Sequence, residues 1–380
     1  MKKIPFSNRH AILMILAYLV ALYLPLVISR MAVDAIYLKG DCVYYRAVIV
    51  SILEDGDMLL ENNVDNPLNG QLALGKDGLA PKHPILMSLV SLPFYALFGD
   101  GGLLLFNLVN CMILAVLIFR INLLFHSRFI ALITTLLYAT TTLFYDYAYN
   151  YSPDIFSTVL FLGGLYLVLR ERFYAGLAVL GVSLFAKLPN APLVALVGLY
   201  VLLRIWRPEP GAAGPARPLA RTLLAGAVFL AALTPLALAN YTLFGSPFTT
   251  GYQVTAVAGA TPGQAVAVNH TVKFNQPLVA GIANVLLHPF YGVLPSNLAV
   301  VLAFFGLAGI RSHARRVELY LIAALCLAQL LFFAKYDEWF TSHFSNRFMM
   351  NFVALSAVFS AFALARLGGR FAFSASNDPQ

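Results

Sequence analysis

Charge is what this sequence has least of. Only 11% of its 380 residues are Asp, Glu, Lys or Arg, where a soluble domain carries about 25%. A chain so poor in charge cannot clothe itself in a solvated surface. Cysteine is scarce as well: Cys42, Cys111 and Cys326 are the three. Cys111 and Cys326 lie within apolar runs, which excludes a disulfide framework, and no zinc-type cysteine spacing occurs. Heptads and repeats of about 20–50 residues are absent, which excludes coiled coils and solenoids. The one low-complexity stretch, Pro208 to Pro218, reads as a short linker.

Apolar runs fill the rest. Hydrophobic residues make up 60% of the chain and mean hydropathy is +0.78. A helix crossing a ~30 Å hydrocarbon core needs about twenty apolar residues. The pattern predicts spans near 11–29, 102–119, 129–145, 155–169, 174–186, 190–203, 222–241, 291–310, 317–334 and 348–365. The expected fold is an all-α polytopic membrane protein with about ten transmembrane helices, in a single domain over 1–380. Run 84–98 is short and carries Pro84 and Pro93, so it is expected to dip into the interface without crossing. Runs 174–186 and 190–203 are also short. They read as tilted half-length spans meeting at the polar turn Lys187-Leu-Pro-Asn190, buried or facing a cavity. Lys2, Lys3 and Arg9 precede an apolar run without a small-residue cleavage site, which predicts an uncleaved first span.

The scarce charges are unevenly placed. Ten crossings put both termini on one side. That side holds 16 of the 25 Lys+Arg and 4 of the 17 Asp+Glu, a balance of +12 against −4 on the other. The bias in short loops is the positive-inside signature. It predicts cytoplasmic termini and an extracytoplasmic first loop over 30–83. The cations are spread over several loops with no patch, so the basic balance is no argument for nucleic acid.

The first loop holds Asp34, Asp41, Glu54, Asp55, Asp57, Glu61, Asp65 and Asp77. Cys42 to Leu53 reads as an amphipathic interfacial helix, with Val43, Ala47, Val50 and Leu53 recurring at helical spacing. Gly56 is the expected left-handed cap. Asp41 at its start has two compatible readings, an N-cap and a general base facing a membrane-level cavity. Asp34 is the alternative base. Asp55, Asp57, Glu61 and Asp65 read as a solvated face. Lys82 and His83, between Pro81 and Pro84, are donors at the interface, and a snorkelling lysine is the competing reading for Lys82.

Other polar groups fall on the same side. Ser152-Pro153-Asp154 is a helix start: Ser caps, Pro takes the first helical position, and Asp suits the positive dipole end. Asp154 is thus either structural or turned to the cavity. The second outer loop, 242–289, is nearly uncharged and rich in Asn, Gln, Thr and His, suited to hydroxyl-rich ligands. Arg347 stands where the last span re-enters the membrane. A charge at that depth needs an anionic partner. The sequence offers Asp337, Glu338, a lipid phosphate or a substrate phosphate.

Taken in order, several stretches resemble the GT-C superfamily of integral-membrane glycosyltransferases, in its bacterial protein-mannosyltransferase and aminoarabinose-transferase branch. They are Gly40-Asp41-x-x-Tyr44-Tyr45, Leu53 to Asn63, Lys82-His83-Pro84 through Pro93 to Gly99, Phe244 to Tyr252, and Trp339 to Phe348. The resemblance implies a sugar donor linked to polyprenyl phosphate and an inverting transfer to a glycan, lipid or protein acceptor. It implies Asp41 as base, Lys82 and Arg347 as holders of the donor phosphate, and Tyr44, His83, Asp154 and Tyr252 among the substrate-binding residues. The family often has a second acid after the aspartate, where this chain has Cys42. A lone carboxylate there gives no support for a divalent metal, and no cofactor is expected. The family often has glycine where Asn346 stands. Larger relatives carry a soluble outer domain after the last span, so acceptor selection is expected from the loops here. The expected partners are the lipid-linked sugar, its acceptor and membrane lipids, and the expected location is a bacterial inner membrane. The competing readings are a lipid or solute transporter or flippase, disfavoured by the absence of an inverted repeat, and a non-catalytic envelope-assembly protein.

Overall fold

The computed structural model describes residues 7–32, 38, 40–207, 216–259, 264–340 and 346–369. Asp34 lies outside them. The helices are α1 (Asn8–Ala32), α2 (Asp41–Val50), α3 (Leu86–Asn122), α4 (Arg128–Thr141), α5 (Phe144–Tyr147), α6 (Pro153–Leu169) and α7 (Phe173–Ala186). They continue as α8 (Ala191–Ile205), α9 (Ala216–Phe244), α10 (Leu278–Leu287), α11 (Val293–Ser296), α12 (Leu298–Gly306), α13 (Arg316–Ala334) and α14 (Met350–Gly369). Four short strands interrupt them: β1 (Asn69–Leu74), β2 (Leu79–Pro81), β3 (Thr255–Ala258) and β4 (Ala265–Val268).

The chain is a multi-pass helical membrane protein. Six helices are long and apolar enough to cross a bilayer, and five further apolar helices are 10–17 residues long. Among the described residues six helices thus meet the length of a crossing on their own, where about ten spans were expected. The apolar runs 84–98 and 102–119 join in α3, which breaks sharply at Gly99 (φ 56°, ψ −144°). One apolar helix, α10, falls inside the nearly uncharged second loop, 242–289.

Most apolar side chains form one core threaded through α1, α3, α4, α6, α8, α13 and α14. α9 stands apart: only 6% of its apolar window is buried. It packs on α7 and leaves Leu223, Leu230 and Leu238 exposed, as a lipid-facing helix does.

What positions the site is a four-stranded antiparallel sheet with order β2-β1-β3-β4. It was not expected from the sequence. β1 and β2 come from the first loop, β3 and β4 from the second. Pairing Ala73 with both Ala80 and Thr255 fastens the two loops to each other. The turn before it is tied by its own acids. Asp57 accepts from Ser51 Oγ and Leu59 N, and Glu61 accepts from Leu79 N. These carboxylates stitch the loop while staying exposed, as the reading of a solvated face expects.

α2 matches the predicted interfacial helix in place. It runs into a π-turn over Ser51–Asp55 that ends at Gly56 in the left-handed conformation (φ 74°). Its buried set differs from the expected stripe. Cys42, Tyr45 and Ile49 pack on α3 and Tyr151, while Ala47 and Val48 pack towards the sheet. With cover on two sides, a single apolar stripe is not required, and Leu53 is left 45% exposed.

Candidate active site

Asp41 opens α2 directly after Gly40, whose φ of 58° is accessible to glycine at no steric cost. No side-chain capping bond forms at this helix start. The carboxylate is turned elsewhere. Its Oδ2 accepts from Arg347 Nη2 at 2.7 Å, and its Oδ1 lies 3.9 Å from His83 Nε2. The capping reading of Asp41 therefore gives way to an ion pair with a residue 306 positions away.

Arg347 is shared. Its Nη1 lies 3.8 Å from Asp154 Oδ2, and Asp154 Oδ1 bonds Lys187 Nζ. The four charges thus alternate: Asp41, Arg347, Asp154, Lys187. The inner pair is deep, with Arg347 10% and Asp154 1% exposed at the side chain. Such charges are tolerated inside a membrane fold when each has an opposite neighbour. Asp337 and Glu338, the sequence candidates for the Arg347 partner, are occupied otherwise. Asp337 accepts from Asn275, and Glu338 pairs with Lys273. The last loop is fastened to segment 273–276 and cannot also serve Arg347.

The sheet brings up a second set. Lys82 and His83 follow β2 and Tyr252 precedes β3. Lys82 is buried, with Nζ donating to Gly70 O at 2.8 Å and lying 5.9 Å from the Tyr252 ring centre. A snorkelling lysine would be exposed, so that reading fails. His83 Nδ1 is 2.9 Å from the Tyr252 hydroxyl, and its ring stacks on Tyr45. Gly251 makes this approach feasible: a Cβ there would fall 2.6 Å from Lys82 Cα.

Burial alone raises the Asp41 carboxyl, but the Arg347 guanidinium, helped by His83 and Lys187, outweighs it and holds the group well below the usual carboxylate range. Burial pushes the His83 imidazole down to about 4, against the opposite pull of Asp41. It pushes the Lys82 ammonium down as well. At neutral pH the site holds an ionised Asp41 beside a neutral His83. His83 Nε2 and Arg347 Nε are buried and have no hydrogen-bond partner among the described residues.

These groups line one cavity of about 560 Å³, with Tyr45, Gln71, His270, Tyr336 and Phe348 also in its wall. Of the residues singled out in the sequence, Asp41, Lys82, His83, Tyr252, Glu338 and Arg347 line this cavity. Asp154 supports them from beneath. Tyr44 does not join: its hydroxyl accepts from Asn69 at 2.6 Å, and the neighbouring Tyr45 takes the cavity position. Lys187 was passed over as part of a polar turn; a lysine flanked by two apolar helices was the signal that it needed a buried acid. Cys42 stands where a second acid was anticipated from the resemblance. Its thiol donates to Tyr151 O at 2.5 Å, and burial pushes it up to about 12. It is a neutral packing group. Among the described residues no cluster of three His, Cys, Asp or Glu offers a metal site.

Neither a protein-family model nor a curated protein sequence matches the chain. Solved structures do. ArnT from Cupriavidus metallidurans bound to undecaprenyl phosphate superposes with a TM-score of 0.62 at 14% identity, over 92% of this chain and 61% of that one. The same protein in its apo state gives 0.53 at 15% identity, over 88% and 56%. The chain spans about three fifths of the length of these structures. ArnT is an aminoarabinose transferase of the GT-C type. The architecture built up from α1 to α14 thus shares its fold with ArnT.

Proposed function

We propose that this protein is an inverting glycosyltransferase that takes a sugar from a polyprenyl-phosphate donor and passes it to an acceptor hydroxyl or amine. One observation carries the reading. The ionised carboxylate of Asp41 sits in a cavity where Arg347, Lys82, Lys187 and His83 converge. Lipid-phosphate chemistry needs both parts: a base for the acceptor proton and positive charge where the phosphate departs.

The donor phosphate enters beside Arg347 and Lys82 and competes with Asp41 for the guanidinium. As Arg347 turns towards phosphate, its hold on Asp41 weakens and the carboxylate becomes more basic. The acceptor oxygen or nitrogen attacks the anomeric carbon, and its proton passes to Asp41. The bond from that carbon to the phosphate oxygen breaks, and polyprenyl phosphate leaves with its charge held by Arg347 and Lys82. His83, steered by Tyr252, offers Nε2 to a phosphate oxygen or to the acceptor. Attack opposite the leaving group inverts the anomeric centre. The charge bias of the loops supports cytoplasmic termini and an extracytoplasmic cavity in a bacterial inner membrane. ArnT in its solved complex binds undecaprenyl phosphate, which supports a lipid phosphate of that class here.

Proteoliposomes loaded with labelled polyprenyl-phosphate sugar and acceptor test the reading. Transfer by wild type that is lost in Asp41→Asn and kept in Asp34→Asn is the expected result. Loss in Asp34→Asn with Asp41→Asn active moves the base, and equal transfer by all three removes the carboxylate mechanism.

A further inference from the structure

Behind the charged quartet lies a second hollow. It is walled by α6, α13, α14 and the turn 188–190, and it shares Lys187, Arg347 and Phe348 with the main cavity. Its walls are polar where a membrane core is normally apolar. Thr158, Asn190, Gln329 and Asn351 are each 4% exposed or less. Asn351 Nδ2 donates to Asn190 Oδ1 at 3.0 Å, and Gln329 Nε2 donates to Phe348 O. Thr158 Oγ1, Asn190 Nδ2, Gln329 Oε1, Asn351 Oδ1 and Arg347 Nε are buried without a hydrogen-bond partner among the described residues.

Five unpartnered groups around one hollow have a joint meaning. Each buried polar group left unmatched costs stability, and polar side chains at membrane depth mark functional positions. Their types narrow the ligand. An anion would meet the carbonyl oxygens of Gln329 and Asn351. A cation would meet Arg347 and Lys187, and the one carboxylate in the wall, Asp154, is already paired with both. A hydroxyl or a water both donates and accepts, so it can pair with donors and acceptors of this mixed set, about three or four at a time. The hollow is small, with room for about one water-sized group of 10 Å³.

We infer that this hollow is a binding site for one neutral hydroxyl group, filled by water at rest and by a hydroxyl of the donor sugar once the lipid is bound. The inference rests on the proposed donor class and goes further. It assigns the recognition of the sugar to α6, α13 and α14, beneath the phosphate-binding cations.

Binding in detergent, read with polyprenyl phosphate and with the same lipid carrying a sugar, tests it without turnover. Two variants are compared with wild type: Thr158→Val, which removes one hydroxyl at constant shape, and Asn190→Leu with Asn351→Leu, which removes the amide pair together. Wild type is expected to bind the sugar-linked lipid about tenfold more tightly than the bare lipid. Both variants lose that preference, keep their affinity for the bare lipid, and melt no lower than wild type. Equal wild-type affinity for both lipids overturns the inference and leaves the phosphate reading standing. A preference unchanged in both variants shows a site for water alone and overturns it too, as does equal weakening towards both lipids. Wild type binding neither lipid removes the donor reading itself, and this inference with it.

Discussion

Replacing Asp41 by Asn separates two effects that a purely structural aspartate would keep together. Asp41 and a donor phosphate compete for the same guanidinium. In the resting protein Arg347 spends a 2.7 Å charge-assisted bond on Asp41. Such a bond contributes about 1.5–3 kcal/mol. The Asp41 side chain is 21% exposed, and Asp154 keeps a second hold on Arg347 at 3.8 Å. Both reduce what is released, so the low end applies, about 1.4 kcal/mol or a factor of ten. Asp41→Asn is therefore expected to bind bare polyprenyl phosphate up to about tenfold more tightly than wild type, while turnover falls about 10²–10⁴-fold for want of a base. The assay is binding of the bare lipid in detergent beside sugar release in liposomes, on the same preparations. Weaker binding in Asp41→Asn would refute the competition, because Asp41 would then be holding Arg347 in place for the phosphate.

Other outcomes follow from the same geometry. Asp154→Asn removes the acid between Lys187 and Arg347 at a 1% exposed position. A loss of about 3–5 kcal/mol is expected, read as a lowered melting temperature in detergent. Gly251→Ala drives a Cβ to 2.6 Å from Lys82 Cα, so the Lys82–His83 segment must shift; bare-lipid affinity should fall at least about tenfold. His83 is lowered from 6.5 to about 4 by burial. Its stabilising contribution is whole above pH 6.5 and is lost as pH falls through 6.5 towards 4, by at most about 3 kcal/mol. Melting curves of His83→Gln should lose less between pH 6.5 and 4.5 than wild type. His126, half-buried elsewhere in the chain, titrates in the same window, so the difference between the two proteins is the quantity to read.

The membrane class and the position of α2 were legible because they rest on composition and on helical spacing, which local sequence carries. So was the start of α6: Ser152 Oγ accepts from Asp154 N, with Pro153 in the first turn. The sheet was not legible. β2 is three residues long, and β4 reads Ala-Val-Ala-Val, a pattern as suited to a buried helix as to a strand. Its pairing across 182 positions, Ala73 to Thr255, has no local signature. The site followed the same division. Asp41, Lys82, His83 and Arg347 stood out as ionisable groups at the ends of apolar runs. Their partners did not, because Arg347 could reach acids from several loops and only the packed helices select Asp41 and Asp154 over Asp337 and Glu338. Tyr44 and Tyr45 are neighbours in sequence, and which of them faces the cavity depends on what covers α2.

The most direct test of the account is the release of polyprenyl phosphate by folded wild-type protein offered a panel of polyprenyl-phosphate sugars, with no other sugar source present. The account predicts release of lipid phosphate in step with transferred sugar, abolished in Asp41→Asn. A folded protein that carries these lipids from one leaflet to the other without breaking the sugar–phosphate bond would contradict it.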